Sequence, residues 1–215
     1  MGILVQKFGG TSVASVEKMK KVCNIIENYR KKGNDLVIVV SAMGRKGDPY
    51  ATDTLINLCT NVNQKPKKRE LDLIMSCGEV ISGTILSSML EGRGIPSVFL
   101  TGTQAGIITT KIYSNSKIKE INPTRIQREL DEGKVVVIAG FQGGTEDGEV
   151  TTLGRGGSDT SAVAIGKALG CETVQIYTDV DGIMTADPRI EPSAKILDYC
   201  DYEEVFQMAE KGAKV

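Results

Sequence analysis

Apolar residues in this chain fall into short unbroken runs, separated by longer stretches with helical spacing. Ile3-Leu4-Val5 opens a strand predicted over 3–8, and Leu36–Val40 and Val135–Ala139 are continuous apolar runs of strand length. A run without polar alternation suits a strand covered on both faces, and so a parallel sheet. Between the first two runs, Val16, Met19, Val22, Cys23 and Ile26 recur at helical spacing, which predicts a helix over 16–32 stopped by Gly33. Further helices are predicted near 52–62, from the charged stretch Pro66–Glu70 through to Gly92, over 124–132 and over 158–169. Strands are predicted at 96–100 and 174–177. Residues 105–122 read as a β-rich excursion, TEDGEV at 145–150 as a hairpin turn, and 202–211 as a closing helix before GAKV.

Strands alternating with helices imply βαβ units, and therefore an α/β fold with a mostly parallel central sheet between helix layers. No repeat, low-complexity tract or Pro/Gly/Ser linker divides the chain. A soft seam is placed near 143–153, between a first lobe and a second.

Composition narrows the chemistry. At 215 residues and 40% hydrophobic, the chain has ample core for one large domain. Lys+Arg is 26 and Asp+Glu is 27, a net charge of −1 with no long basic block, so nucleic acid is not the main partner. The absence of histidine excludes a Ser-His-Asp triad, a His-ligated metal and an imidazole base. No protein metal site is expected. Charge and proton work falls to Lys, Arg, Asp, Glu or the backbone. Cys23, Cys59, Cys77, Cys171 and Cys200 form no CxxC pair and read as reduced thiols, mostly core filler. No apolar run approaches the roughly 20 residues that span a bilayer, and the N-terminus lacks a signal-peptide pattern. The expectation is a cytoplasmic chain with no membrane partner.

Two glycine-rich turns stand out. Lys7-Phe8-Gly9-Gly10-Thr11-Ser12 places a lysine at a strand end, then glycines that let backbone N–H groups approach an anion. The plainer reading is a tight βα turn with a surface lysine. Neither GxxxxGK[ST] nor a GxGxxG after the first strand is present, and HRD and DFG are missing. The second turn, Thr151 to Thr160, holds Gly154, Arg155, Gly156 and Gly157 ahead of a helix, with Ser158 as its expected cap. Arg155 suits a bidentate grip on a carboxylate, and Asp159 falls in the first helical turn, where the helix dipole favours it. A capped loop with one solvated arginine is the alternative.

Three further clusters follow. Tyr177-Thr178-Asp179-Val180-Asp181-Gly182, with Asp187-Pro188-Arg189 after it, is either an Asx turn or a nucleotide shelf at a strand's end. Gly78 within a helical pattern costs roughly 1 kcal/mol against alanine and so calls for a packing or ligand reason; Glu79 beside it could meet an ammonium, but on the residues alone a plain helix carboxylate is the stronger reading. Ser41 at a strand end and Thr52 at a helix start suit carboxylate binding, although a short polar loop without function is the commoner reading of such residues. The basic run Lys65–Arg69 reads as a solvated helix entrance.

Taken together, KFGGTS, VVSAMG, CGE, TTLGRGGSDTSA and YTDVDGIMTADPR resemble the aspartokinases, and the match runs in order from residue 3 to residue 215. GRKGDPYATD further resembles the bacterial enzymes of the diaminopimelate branch. The resemblance implies an amino-acid-kinase αβα sandwich and transfer of the ATP γ-phosphoryl group to the side-chain carboxylate of L-aspartate. That is the entry step to lysine, threonine and methionine. It implies ATP, with Mg²⁺ bound through the nucleotide phosphates, and a homo-oligomer in the full-length family. By motif position, Lys7 matches the lysine that stabilises the moving phosphoryl group, and Asp159 an aspartate that orients it. Phe8, Gly9, Gly10 and Thr11 match the phosphate-facing turn. Ser41, Thr52, Glu79, Arg155, Gly157 and Ser158 match the substrate side, with Arg155 on the α-carboxylate and Glu79 near the ammonium. Thr178, Asp179, Asp187, Arg189 and Lys214 match the nucleotide side.

The family usually continues past GAKV into more kinase domain and two regulatory ACT modules. This chain is therefore expected to be a portion, with an amino-acid lobe over about 1–145 and the start of a nucleotide lobe over about 146–215. The rivals are a kinase of acetylglutamate, carbamate, glutamate or uridylate, a catalytically inactive ligand-binding module, and a Rossmann oxidoreductase, which lacks its fingerprint.

Overall fold

The computed structural model describes residues 2–154, 156–179, 182, 184, 185 and 191–199. The apolar runs form a five-stranded parallel sheet of order β3-β6-β2-β1-β9. Its strands are β1 (Ile3–Phe8), β2 (Asp35–Val40), β3 (Ser97–Leu100), β6 (Val135–Ala139) and β9 (Val174–Tyr177). Leu36 to Val40 and Val135 to Ala139 are wholly buried, as the unbroken runs required. Alternate residues of β2 feed two cores. Leu36, Ile38 and Val40 pack with Met19, Cys23, Ile26, Leu86 and Leu90 on one face. Val37 and Val39 pack with Ile126, Ile138, Ala162 and Ile165 on the other. Each such side chain, fully buried, contributes about 1.5–3 kcal/mol.

The helices that cover these faces are α1 (Val16–Lys31), α3 (Lys68–Glu91), α4 (Thr124–Asp131) and α5 (Gly157–Ala168), while α2 (Thr52–Val62) packs on α3. Ser15 caps α1 by accepting from the Lys18 N–H, and Gly33 ends it at φ +82°. α3 is, by length and composition, apolar enough to cross a bilayer, contrary to the expectation that no stretch approaches that length. Half of its most apolar window is buried, and it also buries Asp72 and Glu79. It is the core helix of this unit.

The excursion at 105–122 becomes part of a second sheet, of order β5-β4-β7-β8. It joins β4 (Ile107–Thr109), β5 (Ile118–Ile121), β7 (Gln142–Gly144) and β8 (Val150–Thr152). The turn expected at 145–150 links β7 to its antiparallel partner β8, and the seam placed at 143–153 falls on this hairpin. Cys23 is buried as anticipated, but Cys59 and Cys171 are half-buried and Cys77 is exposed. The basic run Lys65–Arg69 is largely exposed, as a solvated entrance should be, and within it Arg69 pairs with Glu149 across 2.6 Å.

One compact unit ends at Tyr177 and a second begins at Thr178. Within the second, a bridge joins Met184 to Ile196. The closing helix expected at 202–211 lies outside the described residues. In the first unit Phe8 pairs in register with Val40 and with Tyr177, and Val40 with Ala139. The carboxyl ends of four strands are therefore level, and the loops that leave them share one rim. In open parallel sheets such a rim is where ligands bind.

Candidate active site

Three loops meet on that rim. The first leaves β1 as Gly9-Gly10-Thr11. The Gly9 N–H donates to the Tyr177 carbonyl (3.2 Å), and the Gly9 carbonyl accepts from the N–H groups of Ser12 and Val13. The Gly10 and Thr11 N–H groups form no hydrogen bond with a described residue. A Cβ on Gly10 would lie 2.7 Å from the Ala42 carbonyl oxygen and 2.9 Å from that of Gly44. Only glycine allows this turn to lie flat on the second loop.

That second loop, from Ser41 onward, is held from two sides. The Gly44 N–H donates to the Gly10 carbonyl (3.1 Å). The Ser82 hydroxyl of α3 donates to the Ser41 carbonyl (2.7 Å). Gly78 explains itself here, because a Cβ there would meet the Ala42 Cβ at 2.6 Å. Its absence lets the loop touch α3 just where Glu79 projects.

The third loop joins β8 to α5. Gly156, at φ +72°, is the N-cap. Ser158, expected to cap, instead sits buried in the first turn of α5, where its Cβ would lie 2.9 Å from a Cβ on Gly140. The start of α5 brings the positive end of the helix dipole to the rim.

Between these loops lies a cleft of about 360 Å³. Lys7, Ser41, Thr52, Glu79, Ser158 and Asp159 line it, with backbone from Gly10, Gly154, Gly156 and Gly157. Its charged groups are unevenly hydrated. The Lys7 Nζ is 2.7 Å from the Asp159 Oδ1, an ion pair rather than an aligned hydrogen bond. The lysine side chain is 9% exposed and the aspartate 41%, so the pair opens to solvent only on the aspartate side. Glu79 is almost wholly buried. Its Oε1 accepts from the Ala42 N–H (3.0 Å), while its Oε2 has no partner among the described residues. Burial pushes the Glu79 carboxyl up to about 8, against the opposing pull of the Glu79 and Ala42 backbone N–H groups. A buried oxygen with an open acceptor position favours a donor from a ligand.

The sequence-predicted residues thus divide into groups. Lys7, Gly10, Ser41, Thr52, Glu79, Gly157, Ser158 and Asp159 come together. Gly9 and Thr11 belong to the first turn without lining the cleft. The Phe8 ring is turned into the core, stacked on Tyr177 with centroids 4.5 Å apart, so only its backbone reaches the rim. Thr178 and Asp179 belong to the second unit. Arg155, Asp187, Arg189 and Lys214 lie outside the described residues, although Gly154 and Gly156 on either side of Arg155 both line the cleft. Among the described residues no group of three or more His, Cys, Asp or Glu side chains is placed to hold a metal.

Sequence reading missed Ala42, whose N–H holds Glu79, and Phe141, which lines the cleft at φ +66°. A bulky residue in that region is strained. Its N–H donates to the Ser161 hydroxyl (3.1 Å) and its carbonyl accepts from the Leu153 N–H (2.8 Å). The only signal for it was the Gly140 that ends β6.

Comparison with known proteins places this geometry. The profile of the amino acid kinase family matches residues 2–215. The aspartokinase of Geobacillus stearothermophilus is 50% identical over the whole chain, which covers 52% of that protein. Aspartokinase 1 of Bacillus subtilis is 49% identical, with 53% covered. The chain spans about half the length of the curated relatives it matches. Among solved structures, aspartate kinase from Synechocystis superposes with a TM-score of 0.82 at 45% identity, over 99% of this chain and 34% of that one. E. coli aspartokinase III, solved in complex with aspartate and ADP, gives 0.81 at 25% identity, over 97% of this chain and 56% of that one.

Proposed function

The chain belongs to the amino acid kinase family, and on that premise we propose that it is the catalytic portion of an aspartate kinase, transferring the γ-phosphoryl group of ATP to the side-chain carboxylate of L-aspartate. One observation carries the reading: a single cleft holds an ammonium beside a glycine turn and, on its other wall, a buried carboxyl oxygen with no partner among the described residues. The first pair suits a phosphoryl group, and the second suits the ammonium of an amino acid. The half-length relatives named aspartokinase, and the structural relative solved with aspartate and ADP, support the same substrates.

In this reading the acceptor carboxylate attacks the γ-phosphorus. The new O–P bond forms as the bond to the β-phosphate bridging oxygen breaks, giving 4-phospho-L-aspartate and ADP. No general base is needed, because a carboxylate is ionised at neutral pH. The obstacle is Coulombic, since two anions must meet, and positioning plus charge neutralisation removes it. Lys7, steered by Asp159, supplies a fixed positive charge between donor and acceptor. The free N–H groups of Gly10 and Thr11 face phosphate oxygens, and Glu79 takes the substrate ammonium. Arg155 holds the α-carboxylate, with Ser41, Thr52, Gly157 and Ser158 completing that side. Thr178, Asp179, Asp187, Arg189 and Lys214 serve the nucleotide. Mg²⁺ would supply further neutralisation, held by the phosphates rather than by a protein cage. The whole protein works in the cytoplasm as a homo-oligomer.

A phosphorylation assay over aspartate, N-acetylglutamate, carbamate, glutamate and uridylate tests this. Aspartate alone should accept phosphate, and Lys7→Ala should cut kcat by roughly 10²–10³-fold with the circular dichroism spectrum unchanged. Transfer to N-acetylglutamate but not to aspartate, or full activity in the lysine variant, would refute it.

A further inference from the structure

Two turns before Glu79, on the same face of α3, lies a second carboxyl group that no step above uses. Asp72 is fully buried, and five hydrogen bonds from two residues converge on it. The Ser114 N–H donates to both of its oxygens (2.9 and 3.0 Å), and the Ser114 hydroxyl to Oδ1 (3.1 Å). The Thr152 N–H donates to Oδ2 (2.8 Å) and the Thr152 hydroxyl to Oδ1 (2.9 Å). Both partners have a reason to need it. Ser114 sits at φ +67°, a conformation that favours glycine. Thr152 is the last residue of β8, where the chain meets β7 on one side and a single bridge at Ser116 on the other, and its N–H is given to Asp72 rather than to the ladder with β7. A turn further along α3, the Ser76 carbonyl accepts from the Gln142 side-chain amide (2.9 Å), and Gln142 follows the strained Phe141. Asp72 and Ser76 therefore fasten to α3 both strands that lead to the far wall of the cleft. Leu153 and then Gly154 follow Thr152 directly.

We infer that Asp72 is a positioning residue that sets the distance between Glu79 and Leu153-Gly154 on the opposite wall, and hence the fit of the cleft to its amino acid. The inference rests on the aspartate reading for the ligand but not for the anchoring. An anchored loop needs no ordering when substrate binds, and a loop cut free must be ordered at the cost of affinity.

Asp72→Ala should speed amide exchange at Leu153–Gly157 by roughly tenfold or more, the size of a lost charge-assisted hydrogen bond. Exchange in Val135–Ala139 should be unchanged. Aspartate affinity by calorimetry should fall by a similar factor, with nucleotide affinity kept. Asp72→Asn should restore both, because its oxygen can face the two N–H donors while its amide faces hydroxyls able to turn and accept. Adding Ser114→Gly to Asp72→Ala removes the strain at 114. It should raise the melting temperature yet leave aspartate binding weak. Should Asp72→Ala not fold, Thr152→Val removes one of the five bonds and should shift loop exchange and affinity in the same direction, by less. Unchanged loop exchange, unchanged aspartate affinity, or affinity that returns with stability in the double variant would each overturn the inference. A wild-type chain that binds no aspartate refutes the substrate reading, while the exchange comparison still decides the anchoring.

Discussion

Glu79 shows how one residue ties burial to binding. Its Oε2 has no partner among the described residues, and its carboxyl is pushed to about 8 by burial. At pH 7 the ligand-free group therefore holds its proton. An ammonium placed beside it favours the ionised form and drives the proton off. Aspartate binding at pH 7 should accordingly release up to one proton, read as a binding enthalpy that varies with the ionisation heat of the buffer. Glu79→Gln should abolish that variation and weaken binding. A buffer-independent enthalpy in the wild type would mean that no ammonium reaches this carboxyl. That Lys7, Glu79 and Asp159 belong to one cleft was legible in the sequence through their motifs. The contributions of Ala42 and Phe141 were not, because a backbone N–H carries no sequence signature and an aromatic residue at positive φ is chosen by its surroundings.

At the scale of the element, α3 does the most to assemble the cleft. It buries Asp72, Ser76, Gly78, Glu79 and Ser82 along one stripe, so a single helix fixes two walls. Gly78 costs the helix some propensity, but the contact with Ala42 decides its identity. Gly78→Ala gains roughly 1 kcal/mol in propensity, yet its Cβ would fall 2.6 Å from the Ala42 Cβ. Overpacking of that kind costs about 1–3 kcal/mol. We expect net destabilisation in urea, together with weaker aspartate binding as the Ala42 N–H is pushed off Glu79. A Gly78→Ala chain more stable than the wild type would show that the loop yields freely. Long periodic helices and the continuous runs of β2 and β6 were readable because both faces of the sheet are covered. Of the second sheet only the β-rich character of 105–122 and the hairpin turn were readable, since β4, β7 and β8 have three residues each and are specified by their neighbours rather than by a period.

For the whole molecule, opposed carboxyl shifts set the pH range of stability. Glu79 is raised, so its folded form holds a proton that the unfolded chain loses near 4.5, and stability falls as pH climbs from there toward 8. Glu129 is held down by Lys134 and Arg125, and Asp147 is lowered to about 2 by Lys111 and Thr145. Their contributions are present above the ordinary carboxylate range and are lost as pH falls through it. The ligand-free chain should therefore be most stable near pH 5, with a melting temperature that declines toward pH 8, and Glu79→Gln should flatten that decline. A wild-type melting temperature that rises from pH 5 to 8 would contradict the burial argument. The most direct test of the account is a crystal structure with L-aspartate and ADP bound. It should show the amino acid between Glu79 and the 154–159 segment, its ammonium on Glu79 Oε2, and Lys7 Nζ between its side-chain carboxylate and the terminal phosphate. Aspartate lodged elsewhere, or Lys7 touching neither ligand, would contradict it.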